Sequence, residues 1–125
     1  SPLANGLLSK CYNTESIFDT QTDYRAVMPQ YQKDSFEKNK CLFEMIEQLA
    51  MEKHATPAQV SLAWMMSKKP WIVPIPGTRC LCRLKENIGA ADISFSQDEV
   101  VAIDKALSSM EISDVFGGSR IVDKA

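Results

Sequence analysis

The sequence predicts an α/β fold, mostly helical, with one clear strand at about Trp71 to Ile75, and three observations predict it. Apolar residues recur at spacings of three and four over residues 37–53. Two capping boxes, at Thr56 and Ser96, announce further helices. Between them lies the short β-branched run Trp71-Ile72-Val73-Pro74-Ile75. A chain of 125 residues fits one compact domain.

Taken in order, residues 1–36 hold the breakers Asn5-Gly6, Asn13, Asp19, Asp23 and Pro29 and no sustained period, so they read as a long surface loop. Loops of that length inside a domain usually carry function, and Tyr12, Phe18, Tyr24, Tyr31 and Phe36 are available to pin this one down. Leu42, Met45, Ile46, Leu49 and Ala50 then share one helical face. Thr56-Pro57-Ala58-Gln59 opens a second helix, with Thr at the cap, Pro at the first helical position and Gln closing the box. Its residues Val60, Leu62, Ala63, Trp64, Met65 and Met66 are apolar on most sides, which places it between other elements. Pro74 lacks a backbone donor and confines the strand to an end or edge. Pro76-Gly77-Thr78 breaks it, and a short helix follows from Arg79 or Cys80 to about Asn87. Ser96-Gln97-Asp98-Glu99 starts the last helix, striped by Val100, Ile103, Leu107 and Met110 and ending near Ser109. Residues 111–125, with Gly117-Gly118, read as an irregular extension.

Charge and composition narrow the function classes. Fourteen Lys plus Arg against 16 Asp plus Glu give a net charge of −2, which leaves no broad basic surface for nucleic acid. With 45% hydrophobic residues and no run near the roughly 20 apolar residues of a membrane span, the expectation is a soluble, cytoplasmic protein. Cys11, Cys41, Cys80 and Cys82 are expected to be reduced, and Cys80-x-Cys82 is too closely spaced for a zinc knuckle. His54, the single histidine, sits among Glu52, Lys53 and Ala55 and reads as a solvated helix end rather than a catalytic base.

The most informative stretch is Ile75-Pro76-Gly77-Thr78-Arg79. A helix beginning there presents unpaired N–H groups at a positive dipole end, which stabilises an anion. Gly77 permits close approach, Thr78 offers a hydroxyl, and Arg79 and Arg83, four apart, share a face on which two guanidinium groups suit a phosphate monoester. Glu86 and Asn87 continue on about the same side, within reach of the edge of a base. The alternative makes Arg79 and Arg83 solvated charges on a connecting helix, and spacing alone does not choose.

Three segments together resemble one family. Ser1-Pro2-Leu3-Ala4-Asn5-Gly6-Leu7-Leu8-Ser9, Thr56-Pro57-Ala58-Gln59-Val60-Ser61-Leu62-Ala63-Trp64, and Pro74-Ile75-Pro76-Gly77-Thr78-Arg79 with Arg83-Leu84-Lys85-Glu86-Asn87 resemble the C-terminal portion of aldo-keto reductases, in order and at family spacing. The resemblance runs from Ser1 to about Gly118. It implies the C-terminal fragment of a (β/α)8 TIM barrel, a fold that takes about 250 residues when complete. It further implies an NADP(H)-dependent enzyme that reduces a small-molecule carbonyl to an alcohol. By that resemblance Ser1, Leu3, Gly6 and Leu8 lie along the cofactor pyrophosphate, the segment from Ile75 through Gly77 to Thr78 ends the eighth barrel strand in the cofactor site, and Thr78, Arg79 and Arg83 hold the 2′-phosphate of the adenosine ribose. Glu86 and Asn87 then meet the adenine.

The chain departs from the family at Ser9-Lys10-Cys11-Tyr12, where many relatives read Ser-Gly-Lys-Tyr. The family's Asp, Tyr, Lys and His tetrad lies upstream of the aligned segments, so no catalytic residue is expected in this chain. The expected organisation is a single partial domain: residues 1–36 as a strand end plus loop, 37–118 as helices, last strand and cofactor-binding turn, and 119–125 as tail. A competing expectation is a non-catalytic helical interaction module, or barrel remnant, that folds by association with the missing barrel half or with another copy of itself.

Overall fold

The computed structural model describes residues 1–115, and the end of the predicted extension, the 119–125 tail included, lies outside the described residues. Among the described residues five α-helices carry the fold: α1 (Lys33–Lys38), α2 (Lys40–Glu52), α3 (Pro57–Lys68), α4 (Leu81–Gly89) and α5 (Gln97–Ser109). Short 3-10 turns occupy Ala4–Ser9, Tyr24–Val27, Pro29–Tyr31 and Ala90–Asp92. The helix expected over 37–53 therefore starts earlier and is divided at Asn39.

Both predicted capping boxes form. Thr56 Oγ1 accepts the Gln59 N–H at 3.3 Å while Gln59 Oε1 accepts the Thr56 N–H at 3.0 Å. Ser96 and Glu99 repeat the exchange at 3.2 and 2.7 Å. At the other end of α2 the His54 N–H donates to the Met51 carbonyl and the Ala55 N–H to the Ala50 carbonyl. This is a Schellman closure, with His54 in the left-handed conformation at φ 50°. His54 is exposed there, as its charged neighbours foretold.

The core has two parts. Ile46 and Ala50 of α2, Val60 and Ala63 of α3, and Phe95, Val100 and Ile103 around α5 form one cluster. Helix α3 lies in its middle, with Ala58, Val60, Ser61, Leu62 and Ala63 buried, as its all-round apolarity required. Ala4, Leu7, Met28 and Tyr31 form the second, against which Tyr12, Phe18, Phe36 and Phe43 pack. Edge-to-face contacts join Tyr12, Phe18 and Tyr31, so aromatics do pin the long loop, whereas Tyr24 stays exposed. Leu8 touches both clusters.

The strand expected at Trp71 to Ile75 does not form, and no strand exists among the described residues. A strand is defined by its partner, and none of the described residues pairs with this segment. Trp71, Val73 and Ile75 are 74%, 79% and 83% exposed. Pro70, Pro74 and Pro76 remove the N–H groups along one edge, and the remaining donor on that edge, Ile72 N–H, turns back to the Lys69 carbonyl at 3.1 Å. No helix among the described residues is long and apolar enough to cross a membrane.

A second correction concerns the cysteines. Cys80 and Cys82, expected reduced, are joined in a disulfide. Cys80 is the extended N-cap of α4 and Cys82 lies in its first turn, which brings the two Cα atoms to 5.5 Å, inside the range a bridge needs. Cys11 and Cys41 are free and exposed.

Candidate functional site

The chain turns sharply at Ala4, Asn5 and Gly6, which have positive φ in succession (47°, 59° and 100°). Non-glycine residues hold this conformation only when the surroundings fix it. Here Ser1 Oγ accepts the Asn5 N–H at 2.9 Å, and the Tyr31 hydroxyl donates to the Asn5 carbonyl at 3.0 Å. A Cβ on Gly6 would lie 2.9 Å from Tyr12 Cε2. Glycine is thus required at this position both by backbone and by the ring beside it.

Opposite this turn stand residues 75–78 and the first turns of α4. The two sides, with Tyr12, Arg25 and Met28 along the floor, enclose a cleft of about 530 Å³. Ser1, Leu3 and Gly6 line one wall, and Ile75, Gly77, Thr78, Arg83, Glu86 and Asn87 line the other. Two of the residues singled out from the sequence lie elsewhere. Leu8 points into a separate apolar cavity of about 210 Å³ bordered by Leu42, Ile46, Val60, Trp64 and Leu107. Arg79 is exposed and outside the lining of the cleft. Its four-residue spacing from Arg83 does not put the two on one face, because α4 begins only at Leu81 and Cys80 is extended (φ −105°, ψ 125°).

The electrostatics of the cleft centre on Arg83. Its guanidinium donates to Glu86 Oε2 at 2.6 Å and also meets the Cys11 sulfur. The Glu86 hydrogen bond, followed by the nearby Cys11 sulfur, raises its pKa further. Burial pushes the Glu86 carboxyl up, but hydrogen bonds from Arg83 and Thr56 outweigh it and hold the group below the ordinary glutamate value. Arg25 is fixed by Asp23, through Nε at 2.9 and 3.1 Å, and by the Tyr12 hydroxyl, and its plane lies 4.6 Å over Tyr12 and 4.8 Å over Phe18. Helix α4 is anchored from behind, where Gln59 Nε2 donates to the Glu86 carbonyl at 2.9 Å. A Cβ on Gly89 would meet that same nitrogen at 2.6 Å.

Gly77 contrasts with Gly6. Among the described residues a Cβ there would meet no atom beyond its chain neighbours within 4 Å, and no positive φ demands glycine. The same cleft is lined by Thr78, which carries a hydroxyl, and by Arg83, whose guanidinium is engaged by Glu86 and Cys11. This is donor chemistry for a phosphate, with room for a ligand to press against the backbone. Arg25 and Tyr12 escaped the assignment from sequence. Tyr12 had a signal in the Ser9-Lys10-Cys11-Tyr12 motif, whereas Arg25 lies in an aperiodic loop and its place in the cleft is set by Asp23 and the aromatic pair.

The chain is thus helix-rich, with a polar cleft beside the start of α4, and comparison with known proteins gives its family. The model of the Aldo/keto reductase family matches residues 1–108. The chain is 36% identical over 112 residues to Aldo-keto reductase str7 of Strobilurus tenacellus. It is 38% identical over 112 residues to Aldo-keto reductase yakc [NADP(+)] of Schizosaccharomyces pombe, and each alignment covers 90% of this chain and 33% of the relative. With Probable aldo-keto reductase 1 of Glycine max it shares 37% identity over 118 residues, 94% of this chain and 33% of the relative. The chain belongs to the aldo/keto reductase family and spans about a third of the length of these relatives. Membership implies that it is part of a TIM barrel.

Proposed function

We propose that this chain is the cofactor-gripping part of a cytoplasmic, NADP(H)-dependent aldo-keto reductase, a single partial domain that holds the adenosine end of the cofactor. One observation carries the reading: a single cleft takes its walls from the first residues of the chain and from residues 75–87, the segments that the family resemblance assigns to pyrophosphate and to adenosine 2′-phosphate. The S. pombe relative, named for NADP(+), supports the choice of cofactor. When bound, the nicotinamide supplies a hydride to the carbonyl carbon of a small-molecule substrate. Ser1, Leu3 and Gly6 follow the pyrophosphate, Thr78 and Arg83 hold the 2′-phosphate, and Glu86 and Asn87 meet the adenine edge. Leu8 acts indirectly, by anchoring the pyrophosphate turn in the core, and Arg79 contributes long-range positive charge from outside the cleft. No residue of this chain is assigned the proton donor's role, which falls to the remainder of a protein about three times as long.

Calorimetric titration of the chain tests this. NADP(+) should bind, NAD(+) should bind about tenfold or more weakly, and Arg83→Ala should remove most of that preference, in line with a charge-assisted hydrogen bond worth roughly 1.5–3 kcal/mol. Equal affinity for the two cofactors, or an Arg83→Ala variant that keeps the preference, contradicts the assignment. The chain by itself should turn over no aldehyde with NADPH.

A specific observation also favours association with another chain. Trp71, Val73 and Ile75 are exposed in the segment before α4, and Leu81, Leu84 and Ile88 are exposed along α4 itself. Under this second reading the chain is a helical interaction module completed by the missing barrel half or by its own copy. Sedimentation velocity decides for the purified chain, since a monomer at all concentrations removes self-association.

A further inference from the structure

We propose that Cys80 and Cys82 are a reversible dithiol–disulfide pair whose state sets the first turn of α4, and with it the presentation of Thr78 and Arg83 to the cleft. The inference stands on the geometry of the cleft wall and does not depend on which ligand the cleft takes. Four observations lead to it. Both cysteines are exposed, so a soluble thiol or disulfide reaches them. Their Cα atoms lie 5.5 Å apart, which permits the bridge without displacement of the backbone. The bridge spans a separation of two residues, and closing so short a loop removes little entropy from the unfolded chain, so it gains little as a structural staple. Exposed disulfides are the ones that exchange readily.

The pair also lies where its state matters. Cys80 donates its N–H to Thr78 Oγ1 at 3.1 Å, and its carbonyl accepts the Leu84 N–H at 3.0 Å, the first bond of α4. Cys82 precedes Arg83, the cation of the cleft. A bridge from N-cap to first turn therefore ties together the hydroxyl and the guanidinium that face the cleft. Cys11 is held by Arg83 across the cleft and is free.

The proposed oxidant is a low-molecular-weight disulfide such as glutathione disulfide. One cysteine thiolate attacks a glutathione sulfur, forming a mixed disulfide and expelling one glutathione thiolate. The second cysteine thiolate then attacks the protein sulfur of that mixed disulfide, closing Cys80–Cys82 and expelling the other glutathione. The protein loses two electrons, glutathione disulfide gains them, and the two cysteine protons end on the two released thiols.

The chain is equilibrated with glutathione buffers of varied reduced-to-oxidised ratio, quenched in acid and alkylated, and its intact mass is read together with peptide maps. Two alkylation sites should disappear in one step, map to Cys80 and Cys82, and return on transfer to reduced glutathione. In the dithiol form the hydrogen-bonded backbone amides that open α4, residues 84–86, should exchange hydrogen about threefold or more faster than in the bridged form, and a Cys80→Ser, Cys82→Ser double variant should exchange like the dithiol form under all buffers. Thiols that never pair, a pair that never reduces, a bridge to Cys11 or Cys41, or identical exchange in the two states would each overturn the proposal. Redox-dependent exchange in a chain that binds no NADP(+) would leave this inference standing and remove the cofactor reading.

Discussion

Asn39 and Ser113 hold each other in a two-bond clasp across the interior: the Asn39 amide donates to Ser113 Oγ at 2.8 Å and its carbonyl oxygen accepts the Ser113 N–H at 2.9 Å. Asn39 is 2% exposed and Ser113 9%, so neither loses its bonds to water. The clasp fixes the junction of α1 and α2 to the segment after α5. Asn39→Ala strands a buried hydroxyl and a buried N–H together and should cost roughly 2–3 kcal/mol, whereas Ser113→Ala keeps the N–H bond and should cost about 1 kcal/mol. Urea unfolding of the two variants should show that order, and a milder Asn39→Ala would mean that solvent enters the clasp.

Gly6 and Gly77 line the same cleft for different reasons, and alanine separates them. Gly6→Ala forces a Cβ into φ 100° and against the Tyr12 ring, so about 1–3 kcal/mol of stability should be lost and the floor of the cleft displaced. Gly77→Ala meets nothing among the described residues beyond its chain neighbours and should leave the stability within about 0.5 kcal/mol of wild type. Its effect should appear in calorimetry as weaker NADP(+) binding. A Gly77→Ala variant that binds as wild type places the ligand away from this turn.

His54 closes α2 in a left-handed conformation that glycine adopts more readily. His54→Gly should stabilise the chain by about 0.5 kcal/mol, the relief of φ strain exceeding the added entropy of the unfolded chain. His54→Val, β-branched at the same φ, should destabilise by about 1 kcal/mol or more. Thermal unfolding of both variants in parallel gives the sign, and two variants moving in the same direction would show that φ does not govern this position.

What could be read in the sequence follows the range of the interactions involved. Thr56 with Gln59 and Ser96 with Glu99 announce their helices because each box is closed within three residues. The apolar surround of α3 foretold its burial for a similar reason, since the composition of the segment itself encodes it. The strand at Trp71 to Ile75 misled because β-branching describes a preference for a sheet, and the sheet depends on a neighbour that the described residues lack. Arg79 misled because helical spacing applies only inside a helix, and Cys80 keeps α4 from starting early enough. The Asn39–Ser113 clasp, the Gln59 bond to the Glu86 carbonyl and the place of Arg25 join residues far apart or aperiodic, for which one sequence holds no local signal.

Stability should have both an acid and an alkaline limb, traceable to named groups. Hydrogen bonding from Lys68, with the Trp64 indole N–H at 3.1 Å, holds Asp104 below its ordinary value of 3.8. Lys53, whose ammonium lies 2.6 Å from Glu99, together with the Ser96 N–H, holds Glu99 below its ordinary 4.5. A carboxyl depressed in the folded chain contributes stability that is complete above its unfolded value and is lost as pH falls through the folded one. Tyr31 has the opposite sign. Burial raises its folded pKa above the ordinary 10.0, so its contribution is complete below pH 10.0 and declines as pH rises beyond it. The urea midpoint should therefore be flat from about pH 5.5 to 8 and fall below about pH 4 and again above about pH 10. Asp104→Asn should be less stable than wild type at neutral pH, and the two curves should converge in acid as wild-type Asp104 takes up its proton. Curves that stay parallel down to about pH 2.5 would place the acid limb on other carboxylates and leave the Lys68–Asp104 pair without a part in it.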